Sequence, residues 1–213
     1  MVFALFMDEV PLAAANFHAL CCQRFDGLGD AGKPLSYRRS PISRINKGAW
    51  IQGGDITGSG GDSIYGKGGF EDEPLGLRMQ HNAPGLLTMA NDGPNSNASE
   101  FMITLAAAPQ LDGSHVVFGR LLSGAAHLPT LEALPVDAQD RPLRRITVTD
   151  CGAVAGWQRL PLPLPDASEK PATLDGLSSQ ADAKRDAVAQ AVAEAVAEAV
   201  ALGSKKRAAE GEG

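Results

Sequence analysis

Three groupings of residues in this chain have types and spacings that could carry chemistry. The first is Gly53 to Gly69, which holds eight glycines in seventeen residues. Within it, Gly61-Asp62-Ser63-Ile64-Tyr65-Gly66-Lys67-Gly68 nearly spells a phosphate-binding loop. Such a loop needs Ser or Thr after the lysine to hold Mg²⁺, and a following helix whose N-terminus faces the anion. Here Gly68-Gly69 follows and Asp62 would repel phosphate, so the segment reads as a long surface loop whose glycines permit positive φ. The second grouping, Asp112, Ser114 and His115, has the residue types of a hydrolytic triad. Neighbours in sequence do not deliver triad geometry, and no GxSxG elbow occurs. The third is the set of metal-ligand types: His18, His81, His115 and His127 with Cys21, Cys22 and Cys151. None has zinc-site spacing, so no metal or cofactor is expected and the cysteines read as reduced thiols.

The elements that must position such residues lie in the first three quarters of the chain. Residues 1–154 hold ten of the eleven aromatics and 19 of the 24 glycines. Short apolar runs separated by Gly, Pro, Asn and Asp clusters predict strands over Phe3 to Phe6, Ile45 to Gln52, Gly85 to Ala90, Phe101 to Leu105, Val116 to Leu121 and Ile146 to Asp150. Two segments predict helices, Leu12 to Cys22 with Pro11 suited to the first turn, and Ala126 to Ala133. This is a mainly β pattern, as in a barrel with a helix at each end. Residues 155–177 form a Pro-rich linker around Leu160-Pro161-Leu162-Pro163-Leu164-Pro165, where the prolines favour extended chain. Residues 178–213 form an Ala-rich tail, with a helix over 178–202. Its narrow stripe of Val188, Val192, Val196 and Val200 could dock on a protein partner or stay solvated.

Charge narrows the partners. With 19 Lys+Arg against 25 Asp+Glu the formal sum is −6, which offers no basic field for nucleic acid. Met1 to Met7 lacks a positive flank and is too short for a signal core or a membrane span. The expected location is the cytoplasm, with the nucleus left open, and Asn97-Ala98-Ser99 then has no role as a glycosylation acceptor.

The order of segments is more specific than any single motif. Phe6-Met7-Asp8-Glu9-Val10-Pro11 leads to Asn16-Phe17-His18-Ala19-Leu20, then to Gln52-Gly53-Gly54-Asp55 and Phe70-Glu71-Asp72-Glu73. Pro84-Gly85-Leu86-Leu87-Thr88-Met89-Ala90-Asn91, Gly93-Pro94-Asn95-Ser96-Asn97 and Leu111-Asp112-Gly113-Ser114-His115-Val116-Val117-Phe118-Gly119 follow. In this collinear order residues 1–154 resemble a cyclophilin. The resemblance implies a closed eight-stranded antiparallel β-barrel capped by two helices, with the family's first strand normally lying upstream of Val2. It implies peptidyl-prolyl cis-trans isomerase (rotamase) activity on proline-containing protein or peptide segments. Gly29 to Tyr37 resembles the inserted loop of the divergent-loop cyclophilins, in some of which a cysteine before the loop pairs with one near the last strand. That maps onto Cys21 or Cys22 and Cys151, although free thiols remain the default here.

Isomerisation needs no nucleophile. Amide resonance opposes rotation with a barrier of about 18–20 kcal/mol, and a catalyst need only bind the twisted amide better than either planar form. By the resemblance Arg44 is the catalytic arginine and Gln52 helps to hold it. Ala90 and Asn91 offer backbone contacts, while Leu111 and His115 line the proline pocket. Other positions depart from the family pattern. Ala49 stands where Phe is usual, removing a wall, and Trp50 stands where Met is usual and could refill the space. Met102 replaces the Phe of the floor, and Ser43 replaces the His before the arginine. Gln110 replaces Trp or His, which implies weakened cyclosporin binding. Glu100 replaces Gln and could pair with Arg44, inhibiting it. Two readings follow: a weakened or altered isomerase, or a non-catalytic module that binds proline segments within a larger assembly.

Overall fold

The computed structural model describes residues 1–22, 28–30, 32–66 and 69–154. The linker and tail expected over 155–177 and 178–213, including the 178–202 helix, lie outside the described residues. In chain order the elements are β1 (Val2–Leu5), α1 (Pro11–Cys22), β2 (Ile42–Asn46), β3 (Trp50–Gly53) and α2 (Pro74–Arg78). After these come β4 (Leu86–Met89), β5 (Phe101–Thr104), a 3₁₀ turn (Pro109–Leu111), β6 (Val117–Ser123) and α3 (His127–Glu132). Every strand pair is antiparallel, and the six strands form one sheet in the order β1-β6-β4-β5-β3-β2. No helix among the described residues is long and apolar enough to cross a membrane.

Two expectations need correction. Ile45 to Gln52 is not one strand but the heart of a hairpin. The chain reverses at Lys47-Gly48, with Gly48 at φ +77° and the Ala49 N–H bonded to the Asn46 carbonyl at 3.0 Å. Glycine occupies that left-handed conformation at no steric cost, and Asn46, Lys47 and Gly48 are poor strand formers, so the turn divides the span. The helices number three rather than two among the described residues, because Pro74 opens a short turn that no long apolar period announces. The strand expected over Ile146 to Asp150 is present as an isolated bridge between Pro41 and Thr147. Flanking bonds from the Arg39 N–H to the Val148 carbonyl (2.7 Å) and from the Ile42 N–H to the Ile146 carbonyl (3.0 Å) hold it beside β2.

Packing explains why α1 lies where it does. Pro11 supplies a fixed φ at the first helical position, and the orphan N–H groups of Leu12 and Ala13 each donate to the Glu73 carboxylate at 2.9 Å. A residue sixty positions away in sequence thus caps the helix. Further along, the fully buried Asn16 donates to the Ala98 carbonyl at 2.7 Å and accepts from the Ile64 N–H at 3.1 Å. Phe17 meets Tyr37, Phe101 and Phe118 at ring-centroid separations of 5.1, 5.3 and 5.2 Å, and the Tyr37 hydroxyl donates to the Ser99 carbonyl at 2.7 Å. Such tilted and edge-on contacts add to the area each ring buries.

The glycine-rich loop is closed on itself. Asp55 Oδ1 accepts the N–H groups of Thr57 (3.1 Å), Gly58 (2.7 Å) and Gly61 (3.0 Å), so a carboxylate fills the nest that a phosphate would need. Burial pushes the Asp55 carboxyl up, but these N–H bonds outweigh it and leave it below the ordinary carboxylate value. The three cysteines are free. Cys21 hydrogen-bonds Cys151 and is held protonated, whereas that bond and Arg38 bring Cys151 down to about 7.

Candidate active site

Four strands bring one row of side chains together. Register pairs Arg44 on β2 with Gln52 on β3, Gln52 with Met102 on β5, and Met102 with Thr88 on β4. Directly opposed residues share a face, so Arg44, Gln52 and Met102 stand side by side. At the end of β3 the chain must leave the sheet tightly: Gly54 has φ +88°, and a Cβ there would lie 2.5 Å from the Ser99 carbonyl oxygen. Only glycine fits that exit.

A cleft of about 460 Å³ opens over this row. Its floor is apolar and buried: Ala90, Met102 and Leu111 pack with Ala108, and Trp50 lies against them. Leu111 arrives on the 3₁₀ turn, which His81 anchors. The buried His81 donates its backbone N–H to Asp112 Oδ1 and places its ring Nδ1 on the same oxygen, each at 2.8 Å, while its carbonyl accepts the Ala108 N–H at 2.7 Å. Its Nε2 lies 3.1 Å from the Thr88 hydroxyl, tying the turn to β4. Burial lowers the His81 pKa, against the raising effect of Asp112. His115 donates from Nδ1 to the Met89 carbonyl at 3.0 Å, and the Asn91 side-chain amide donates to the Ser114 carbonyl at 2.9 Å, so both hold the far wall.

Of the residues expected at the site, Arg44, Trp50, Gln52, Ala90, Asn91, Glu100, Met102, Leu111 and His115 line this one cleft. Ala49 and Gln110 do not. Ala49 sits in the β2–β3 turn, where its carbonyl accepts the Leu105 N–H at 2.8 Å, and Gln110 is exposed on the 3₁₀ turn. The missing Phe wall at Ala49 therefore leaves the lining to Trp50. Sequence reasoning missed Asp92 and Arg141, which also line the cleft with Ser43. Asp92 directly follows Asn91 at the end of β4 and was within reach of the motif. Arg141 belongs to a turn outside every motif.

Glu100 does not form the expected pair with Arg44. Its Oε1 accepts the Gln52 side-chain amide at 3.2 Å, and the ion pairs among the described residues do not include Arg44. The physical reason is register: Gln52 stands between Arg44 and β5 and reaches the carboxylate first. Burial raises the Glu100 pKa, Asp55 and Asp92 add to the rise, and the Gln52 bond and Arg44 oppose it.

The antiparallel β domain thus opens a cleft that sets a guanidinium without an ion pair beside an apolar floor. Residues 1–153 match the family model described as cyclophilin type peptidyl-prolyl cis-trans isomerase/CLD, and the chain belongs to that family. Among curated relatives, "Peptidyl-prolyl cis-trans isomerase cyp11" of Rhizopus delemar is 47% identical over 156 residues, 71% of this chain and 45% of the relative. "Peptidyl-prolyl cis-trans isomerase D" of Mycosarcoma maydis is 44% identical over 159 residues, 73% of this chain and 39% of the relative. The chain thus spans less than half the length of these relatives. A crystal structure of a Cryptosporidium parvum cyclophilin type peptidyl-prolyl cis-trans isomerase is similar at TM-score 0.59 and 38% identity, covering 70% of this chain and 86% of that one.

Proposed function

We propose that this chain is a peptidyl-prolyl cis-trans isomerase that binds X-Pro segments of protein chains in the cleft and twists the bond beside Arg44. The observation that carries this reading is a guanidinium without an ion pair, in register with Gln52 and with the buried Met102. Met102 and Leu111 offer the proline ring an apolar seat. Arg44 offers several donors in a fixed fork. As conjugation is lost, charge on the amide nitrogen and on nearby carbonyls shifts, and donors already in place stabilise the twisted state more than either planar one. Gln52 acts on Arg44's side of the cleft by bonding Glu100 and keeping the carboxylate off the guanidinium. With Gln110 exposed and outside the cleft, cyclosporin binding is weak in this reading.

Exchange NMR on a short X-Pro peptide tests it. The wild type accelerates exchange, and Arg44→Ala lowers kcat/KM by about 10²–10³, the usual cost of removing a preorganised donor. A folded wild type that binds the peptide without accelerating its exchange would instead make the cleft a recognition module.

A further inference from the structure

The cleft has two charged ends. Arg44 and Arg141 line one, Asp92 lines the other, and Glu100, bonded to Gln52, lies between them. Sheet order separates Arg44 on β2 from Asp92, which follows β4, with β3 and β5 between them, whereas Glu100, which precedes β5, is two strand positions from Arg44. Three strand spacings are about 14 Å, the length of about four residues of extended chain.

Arg141 is held in a built position. Its turn is closed by a bridge between Val136 and Pro142 and by the Asp137 N–H bonding the Arg141 carbonyl at 2.9 Å. Asp137 Oδ1 accepts the N–H groups of Gln139 (2.9 Å) and Arg141 (3.0 Å), while its Oδ2 takes the Arg141 Nε–H at 2.8 Å. Gln139 Oε1 takes Nη2 at 3.0 Å. Asp140, at φ +61°, turns its carbonyl onto the Ile45 N–H at 2.8 Å, hanging the whole turn on β2 next to Arg44. Two of the five guanidinium N–H donors are used within the turn. The side chain is 64% exposed, so the Nη1 edge is within reach of a ligand. Fixing the fork in advance removes most of the rotamer entropy that a flexible surface arginine would lose on binding.

We propose that Arg141 is a specificity-determining residue of this cleft, selecting proline segments that carry an Asp or Glu side chain close to the proline, at the end away from Asp92. The inference rests on the reading of the cleft as a site for X-Pro segments. A carboxylate at that end meets the free edge of Arg141, and at the other end it meets Asp92.

The test uses the full chain and five otherwise alanine-rich peptides: a reference, and Glu or Lys placed two residues before or two residues after the proline. Exchange NMR gives kcat/KM and chemical-shift titration gives affinity. On one flank only, Glu is preferred over Ala by about two- to fivefold at low salt, and the preference shrinks at high salt. Arg141→Gln brings the ratio to about one, and Arg141→Lys, which keeps the charge but loses the fork, falls between. A preference that survives Arg141→Gln, or an equal fall on all five peptides, overturns the assignment. Turnover without flank preference defeats Arg141 alone. Binding with an Arg141-dependent preference but no turnover defeats the isomerase reading alone, and the absence of both binding and turnover defeats both.

Discussion

The aromatic core and the floor of the cleft are built from the same sheet, yet they differ in kind. Phe17, Tyr37, Phe101 and Phe118 come from α1, the segment before β2, β5 and β6, and Phe17 touches all three of the others. The floor is Ala90, Ala108, Met102 and Leu111 with a half-buried Trp50 whose indole N–H has no partner. β5 feeds both regions, sending Phe101 to one and Met102 to the other, as alternation along a strand requires. Rigid rings drawn from four places specify which elements meet. Small residues and a pliant thioether leave a surface that can adapt to an occupant.

That contrast can be broken first at the core. Phe118→Ala removes a fully buried ring from the cluster and should cost about 3–5 kcal/mol in urea unfolding. A loss below about 1 kcal/mol would mean the rings are not what holds the elements together. A smaller effect is expected at Glu100. Glu100→Gln removes a carboxylate whose charge offsets part of the Arg44 field, and kcat/KM on a neutral peptide should rise about two- to fivefold at neutral pH. The pH sign follows from the raised pKa: the folded state holds the Glu100 proton more tightly than the unfolded chain does. The wild type therefore matches the variant in stability at low pH and falls behind it as pH rises from the ordinary carboxylate value through the raised one. Melting temperatures of the two proteins across that window check it, and a constant difference would show that Glu100 is not the titrating group. The smallest effect is at the floor itself. Trp50→Phe loses contact area but also an unpartnered donor, and the two should leave stability within about 1 kcal/mol of wild type. A larger loss would reveal a partner for the indole.

The same contrast marks where the sequence was legible. Collinear motifs carried the family, and they carried most of the cleft because motif residues fall on strands whose register brings them together: Arg44, Gln52 and Met102 form one row. Asn46-Lys47-Gly48 is a visible signal for the β2–β3 reversal, since all three are poor strand formers and Gly48 adopts a positive φ. The lining by Arg141 was not legible. It depends on Asp140 adopting a left-handed φ and bonding Ile45, a contact across nearly a hundred positions that no local pattern encodes. The Glu100 contact failed for a related reason, since which of two neighbours reaches a carboxylate depends on side-chain path and not on spacing.

The order of strands in the sheet also sets a timetable. Among the described residues β1 pairs with β6, and Val2 pairs with Ser123. During synthesis at about 5–20 residues per second, the edge of β1 that pairs with β6 waits on the order of ten seconds for it. For that interval the edge of Val-Phe-Ala-Leu that β6 will take is open to a neighbouring nascent chain. A domain proposed to hasten the folding of others is thus itself slow to close, and its yield in the cell should depend on what shields that edge on the ribosome.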